Sequence, residues 1–129
     1  MECRFHHIAL KVKNFDAVVN FYKEVLGLKE KLSWTMNDNP AIMLEMADGG
    51  IVEVFGGNTD ESEANSRWGH LAVLVDDVPG AYQKALSLGA TSQIEPTKTA
   101  IEGTSTMKVE IAFVGGLAGE VIEFFKVLG

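Results

Sequence analysis

The amino-acid sequence predicts an α+β fold made of two tandem β-α-β-β-β modules. Two repeats carry that prediction. The strand-like run Phe5-His6-His7-Ile8-Ala9-Leu10-Lys11-Val12 recurs as Trp68-Gly69-His70-Leu71-Ala72-Val73-Leu74-Val75, at an offset of 63. His7 falls on His70, Ala9 on Ala72 and Val12 on Val75. Ile51-Val52-Glu53-Val54-Phe55 then recurs as Val121-Ile122-Glu123-Phe124-Phe125, at an offset of 70. A period this long exceeds a solenoid unit and points to duplication of a supersecondary module. Each half opens on a histidine-bearing strand and closes on a glutamate-bearing one.

In the first module, alternation places Ile8, Leu10 and Val12 on one face of the opening strand and His7, Ala9 and Lys11 on the other. The aliphatic face is expected to pack on the helix that follows. Asn14 is the expected N-cap of that helix. Its stripe is Phe15, Val18, Val19, Tyr22, Val25 and Leu26, and Gly27 stands where a left-handed residue ends a helix. Strands are expected over 31–36 and 41–46, joined by Asn37-Asp38-Asn39-Pro40, and Asp48-Gly49-Gly50 signals a hairpin into 51–55. Residues 56–67 are polar and read as a linker.

The second module repeats the plan. A strand over 69–75 leads to Asp77 as N-cap and to Pro79 in the first helical turn. Ala81, Tyr82, Ala85, Leu86 and Leu88 form the buried stripe, and Gly89 ends the helix. Strands are expected over 91–95, 107–114 and 120–125, with a loop over 97–105 and a flexible turn over 115–119. The modules span about 4–56 and 68–127 of one domain covering 1–129.

Composition sets the class. The 129 residues are 47% hydrophobic and 22% charged, with a net charge of −7 and no Lys/Arg cluster. That balance fits a globular protein and argues against nucleic-acid or anionic-membrane partners. Cys3 is the one cysteine, which fits a reducing compartment. No apolar run approaches the ~18 residues of a membrane span and no signal-peptide core is evident, so a cytoplasmic location is expected.

The chemistry lies in the repeated polar residues. Glu53 and Glu123 each stand mid-strand between apolar neighbours, and a carboxylate there is costly to bury unless paired or metal-bound. Repetition of the same placement, each time with a matched histidine, makes His7, Glu53, His70 and Glu123 candidate metal ligands. Two imidazole nitrogens and two carboxylate oxygens suit Zn²⁺, Ni²⁺, Co²⁺, Mn²⁺ or Fe²⁺. Four such ligands on a six-coordinate ion leave two positions for water or substrate oxygens. Lys11, on the face of His7, is a candidate substrate contact. His6 reads as a packed or surface residue, and Glu45 and Glu110 as solvated. Trp34, Met43, Met46, Trp68 and Met107 read as core or cleft lining. A phosphate-binding glycine loop, a G-x-S-x-G elbow and a C-x-x-C pair are all missing from the sequence.

The run from His7 to Asn14, with Phe21-Tyr22-Lys23-Glu24-Val25-Leu26-Gly27-Leu28 and the second copy from Gly69 to Asp76, resembles the glyoxalase I / vicinal oxygen chelate superfamily. The resemblance spans essentially the whole chain. It implies a half-open barrel of paired modules around a divalent metal, commonly at a homodimer interface, with a small-molecule substrate. His7, Glu53, His70 and Glu123 match the family's glyoxalase I ligand set. The implied activity is that of a metal-dependent lyase or isomerase, acting through an enediolate on a hemithioacetal or related α-hydroxy carbonyl compound. Glu53 or Glu123 would be the catalytic base. Alternatives within the superfamily are an epimerase, a metal-free drug- or metabolite-binding protein and an extradiol dioxygenase. Three departures bear on the thiol rather than the metal. Lys11 stands where bacterial glyoxalases I usually carry arginine. Gly57 stands where asparagine is usual, and residues 115–119 replace the usual Asp-Pro-Asp-Gly.

Overall fold

A computed structural model of the chain describes residues 2–58, 68–117 and 120–129. The elements are β1 (Arg4–Lys11), α1 (Phe15–Leu26), β2 (Lys29–Met36), β3 (Asn39–Glu45), β4 (Ile51–Phe55), β5 (Trp68–Leu74), α2 (Val78–Ser87), β6 (Thr91–Glu102), β7 (Thr106–Gly115) and β8 (Val121–Val127). The β-α-β-β-β order therefore occurs twice. The chain forms two compact units, one of His7–Gly69 with Glu102–Ser105, the other of Met1–His6, His70–Ile101 and Thr106–Gly129.

In the unit that begins at His7, the strand order is β2-β3-β4-β1. β1 and β4 run parallel, whereas β3 pairs antiparallel with both β2 and β4. Parallel neighbours need a crossover between them, and α1 with β2 and β3 supplies it. The aliphatic face of β1 packs as its alternation requires. Ile8 and Leu10 join Val12, Ile42, Leu44, Val52 and Val54 in a cluster that also takes Phe15, Val18, Val19 and Tyr22 of α1. Gly27, at φ 70°, ends α1 in the left-handed conformation and donates its N–H to the Lys23 carbonyl at 3.0 Å. Asn14 holds the N-cap position, but its side chain makes no capping bond.

The β2–β3 connection is tighter than the sequence suggests. Only Asn37 and Asp38 form the turn, with φ of 50° and 65°, the positive pair that a two-residue hairpin of right-handed twist requires. Asn39 and Pro40 belong to β3 and pair with Met36 and Thr35. Residues Glu102–Ser105 are tied to β2 by a reciprocal pair. Thr104 N–H donates to the Ser33 carbonyl at 3.0 Å, and Ser33 N–H donates to Thr104 Oγ1 at 3.2 Å.

In the other unit the strand order is β5-β8-β7-β6, with β5 and β8 parallel and β7 antiparallel to β8. α2 packs Val78, Ala81 and Tyr82 on Val75, Ala112 and Val114. Asp77 caps it, its Oδ1 accepting from Gly80 N–H at 3.0 Å. The loop expected over 97–105 is absent. β6 continues to Glu102 and only 103–105 turn. β6 ends the strand order and lies almost wholly exposed, so neither face carries an apolar pattern to read. Thr91, Thr97, Thr99 and Ile101 keep β propensity, and an edge strand tolerates Pro96. Most of the expected linker (59–67) and part of the turn over 115–119 (118–119) lie outside the described residues. Among the described residues, no helix is long and apolar enough to cross a membrane.

Candidate metal centre

Strand register explains how each glutamate meets its histidine. In the unit that begins at His7, Glu53 is flanked across the sheet by Ala9 of β1 and Met43 of β3. His7 precedes Ala9 by two residues and so shares its face. The alanine side chain is small enough to let the carboxylate pass toward the imidazole, and His7 Nε2 lies 3.3 Å from Glu53 Oε1. The other unit repeats the row. Glu123 lies between Ala72 of β5 and Phe113 of β7, and His70 Nε2 is 3.2 Å from Glu123 Oε1.

These faces are turned away from the clusters that hold α1 and α2, yet they are buried. His7 is 1% exposed, Glu53 4% and Glu123 5%. The His70 side chain is more open at 15%, and its ring meets that of Phe113 edge to face, with centroids 5.3 Å apart at 85°. Carboxylates in such positions require strong partners. A charge-assisted N–H···O⁻ bond closes to about 2.7–2.9 Å. Two donors sharing one metal at about 2.1 Å stand about 3.0 Å apart at an octahedral right angle and about 3.4 Å apart at a tetrahedral one. The observed 3.2 and 3.3 Å are compatible with the second arrangement and also with a long N–H···O contact. Imidazole nitrogen and carboxylate oxygen are also the donors a borderline divalent ion takes. The residues present therefore fit the group.

The remaining sequence candidates separate cleanly. Lys11 is exposed and, with Met36, Asn39 and Phe55 among others, lines a cavity of about 200 Å³. Lys11 pairs with Phe55, two residues beyond Glu53 on the same face. His6 is packed, stacked on Phe125 with centroids 4.2 Å apart and planes at 21°. Glu45 lies 3.3 Å from Lys31 Nζ, and Glu110 is half-buried. Met43 is fully buried, Met107 is half-buried, and Trp34 meets Phe55 edge to face. Met46 and Trp68, expected in core or cleft, are 38% and 48% exposed. Met46 follows the last residue of β3 and Trp68 opens β5, places where alternation no longer dictates burial. Sequence reasoning places Met43 only as core or cleft lining, without its link to Glu53, and passes over Phe113, the third member of the other row. The missing signal was hairpin register, since the residue opposite each glutamate on the preceding strand shares its face.

Residues 4–124 match the model of the Glyoxalase/Bleomycin resistance protein/Dioxygenase superfamily. The chain belongs to that superfamily. An uncharacterised protein of Bacillus subtilis (strain 168), YwbC, is 32% identical over 98% of this chain and 99% of its own. The lactoylglutathione lyase of Haemophilus influenzae (strain ATCC 51907 / DSM 11121 / KW20 / Rd) is 28% identical over 93% of this chain and 90% of its own. Among solved structures, methylmalonyl-CoA epimerase from Mycobacterium tuberculosis superposes with a TM-score of 0.71, at 19% identity, over 97% of this chain and 88% of that one. The α+β, glyoxalase-like fold class expected from the sequence is thus borne out. Superfamily members include glyoxalase I and epimerases, and they typically bind a divalent metal. They take small-molecule substrates such as CoA esters and commonly form dimers.

Proposed function

We propose that this member is a metal-dependent lyase or isomerase of glyoxalase I type, acting on a hemithioacetal or related α-hydroxy carbonyl compound. The observation that carries the reading is the duplicated, buried His–Glu pair whose nitrogen–oxygen spacing suits two ligands of one ion. His7, Glu53, His70 and Glu123 would hold a Ni²⁺, Zn²⁺, Co²⁺, Mn²⁺ or Fe²⁺ ion. The ion, when bound, supplies Lewis acidity toward two adjacent substrate oxygens. The histidines supply neutral nitrogen and orient it. One carboxylate, Glu53 or Glu123, removes the proton next to the carbonyl and returns it to the neighbouring carbon. Burial of both keeps bulk water from competing for that proton. Lys11, on the same face as Glu53 and solvent-accessible, would meet a distal part of the substrate. We further infer one domain over 1–129, a homodimer and a cytoplasmic location, the last consistent with a free, exposed Cys3.

The likeness to methylmalonyl-CoA epimerase favours one second reading, an epimerase on an acyl compound. There the proton returns to the carbon it left, on the opposite face, and both carboxylates would act in turn. Metal analysis of the purified chain comes first, followed by methylglyoxal with a panel of thiols and by a chiral 2-methylacyl-CoA in deuterated water. Turnover of a hemithioacetal supports the lyase, and deuterium exchange with racemisation supports the epimerase. A chain that binds no divalent ion and turns over neither would sink both readings and leave a binding protein.

A further inference from the structure

The two glutamate rows differ in one member, and the difference falls where the two histidines differ in burial. In the unit that begins at His7 the row is Ala9–Glu53–Met43. In the other it is Ala72–Glu123–Phe113. His7 is sealed at 1% side-chain exposure. His70 is less enclosed, at 15%. The Phe113 ring meets it edge to face at 5.3 Å and 85°, within the favoured range for aromatic pairs.

From this we infer that Phe113 is a positioning residue for His70, fixing the imidazole plane so that Nε2 keeps its place beside Glu123. Methionine, three bonds long and flexible, presents no ring edge or face and would leave that plane unset. The inference rests on the metal-binding reading of the His–Glu pairs. It adds a determinant outside the ligand set.

The test uses Co²⁺ as the probe, added to the full-length chain freed of metal by chelation. Visible d–d absorption reports ligand geometry and titration reports affinity. Phe113→Leu removes the ring and keeps apolar bulk, whereas Phe113→Tyr keeps the ring. Phe113 is half-buried, so the added hydroxyl does not enter a fully sealed core. Phe113→Leu should weaken cobalt binding about three- to tenfold and change the d–d bands. Phe113→Tyr should restore wild-type affinity and spectrum. Loss of affinity with an unchanged spectrum in Phe113→Leu, or an unchanged affinity, overturns the positioning role. So does a Phe113→Tyr chain that folds but binds cobalt more weakly than the wild type or with altered d–d bands, a comparison that needs no Phe113→Leu protein and so decides the matter if that variant does not fold. Failure of the wild-type chain to bind cobalt is a different result, and it removes the metal-binding reading itself.

Discussion

Replacing either row alanine with leucine should separate site geometry from general packing. Ala9 is 2% exposed and Ala72 0%, each directly opposite its glutamate in a parallel register. Leucine adds three carbons in a place with no free surface. Overpacking of that kind costs about 1–3 kcal/mol. With a urea slope of about 2 kcal/mol/M, the unfolding midpoint should drop by about 0.5–1.5 M. The extra carbons also occupy the space through which the carboxylate reaches its histidine, so divalent-metal affinity should fall by about tenfold or more. Glycine at the same positions is the control. It weakens the strand by roughly 0.5–1 kcal/mol but leaves the passage open, so metal binding should persist. Urea titration followed by circular dichroism, paired with metal titration, reads both effects. Leucine variants that bind metal as the wild type does would refute the claim that a small residue is what lets Glu53 and Glu123 reach His7 and His70.

Other perturbations have equally definite outcomes. Glu53→Gln and Glu123→Gln keep a ligand oxygen but lose the basic carboxylate. At least one should cut turnover by ~10²–10⁴-fold while retaining metal, whereas His7→Ala or His70→Ala should lose metal and activity together. Asp77→Ala removes the cap on Gly80 N–H and should cost about 1 kcal/mol, read from thermal or urea unfolding, with no effect on metal. Gly103→Ala places a Cβ against the Ser33 carbonyl oxygen, which is backbone and cannot swing aside. It should destabilise by about 1–3 kcal/mol and speed proteolysis at the β6–β7 turn.

What could be read from the sequence follows from which signals are local. The two modules were legible because duplication prints the same pattern twice, and because helix ends at Gly27 and Asp77 use residues with a chemical reason to be there. The His–Glu pairs were legible as candidates, since a mid-strand carboxylate among apolar neighbours needs a partner. The pairing itself depends on Ala9↔Glu53 and Ala72↔Glu123, long-range registers that no local window contains. The length of β6 was missed for a related reason. A strand exposed on both faces has no alternation, and what extends it is backbone pairing to β7. Asn39 and Pro40 looked like turn residues by composition, but a hairpin needs only two residues at positive φ, and Asn37 and Asp38 already supply them.

The offset that relates the two modules also sorts their residues by role. Under the 63-residue shift, His7 maps to His70 and Ala9 to Ala72, but Lys11 maps to Leu74. Lys11 is exposed and borders the cavity with Phe55, whereas Leu74 is half-buried and brings no charge. The third row members diverge likewise, as Met43 and Phe113. On the proposed reading, a metal needs the same donors from both modules, so these positions keep their identity across the repeat. A substrate has no internal symmetry and calls for residues that differ between modules. Substrate identity therefore has to be sought at the unmatched positions, Lys11 above all. Replacing Lys11 with alanine should raise the KM of the true substrate while leaving metal binding unchanged, because a solvated cation that meets only the distal part of the substrate contributes to binding rather than to the proton transfer.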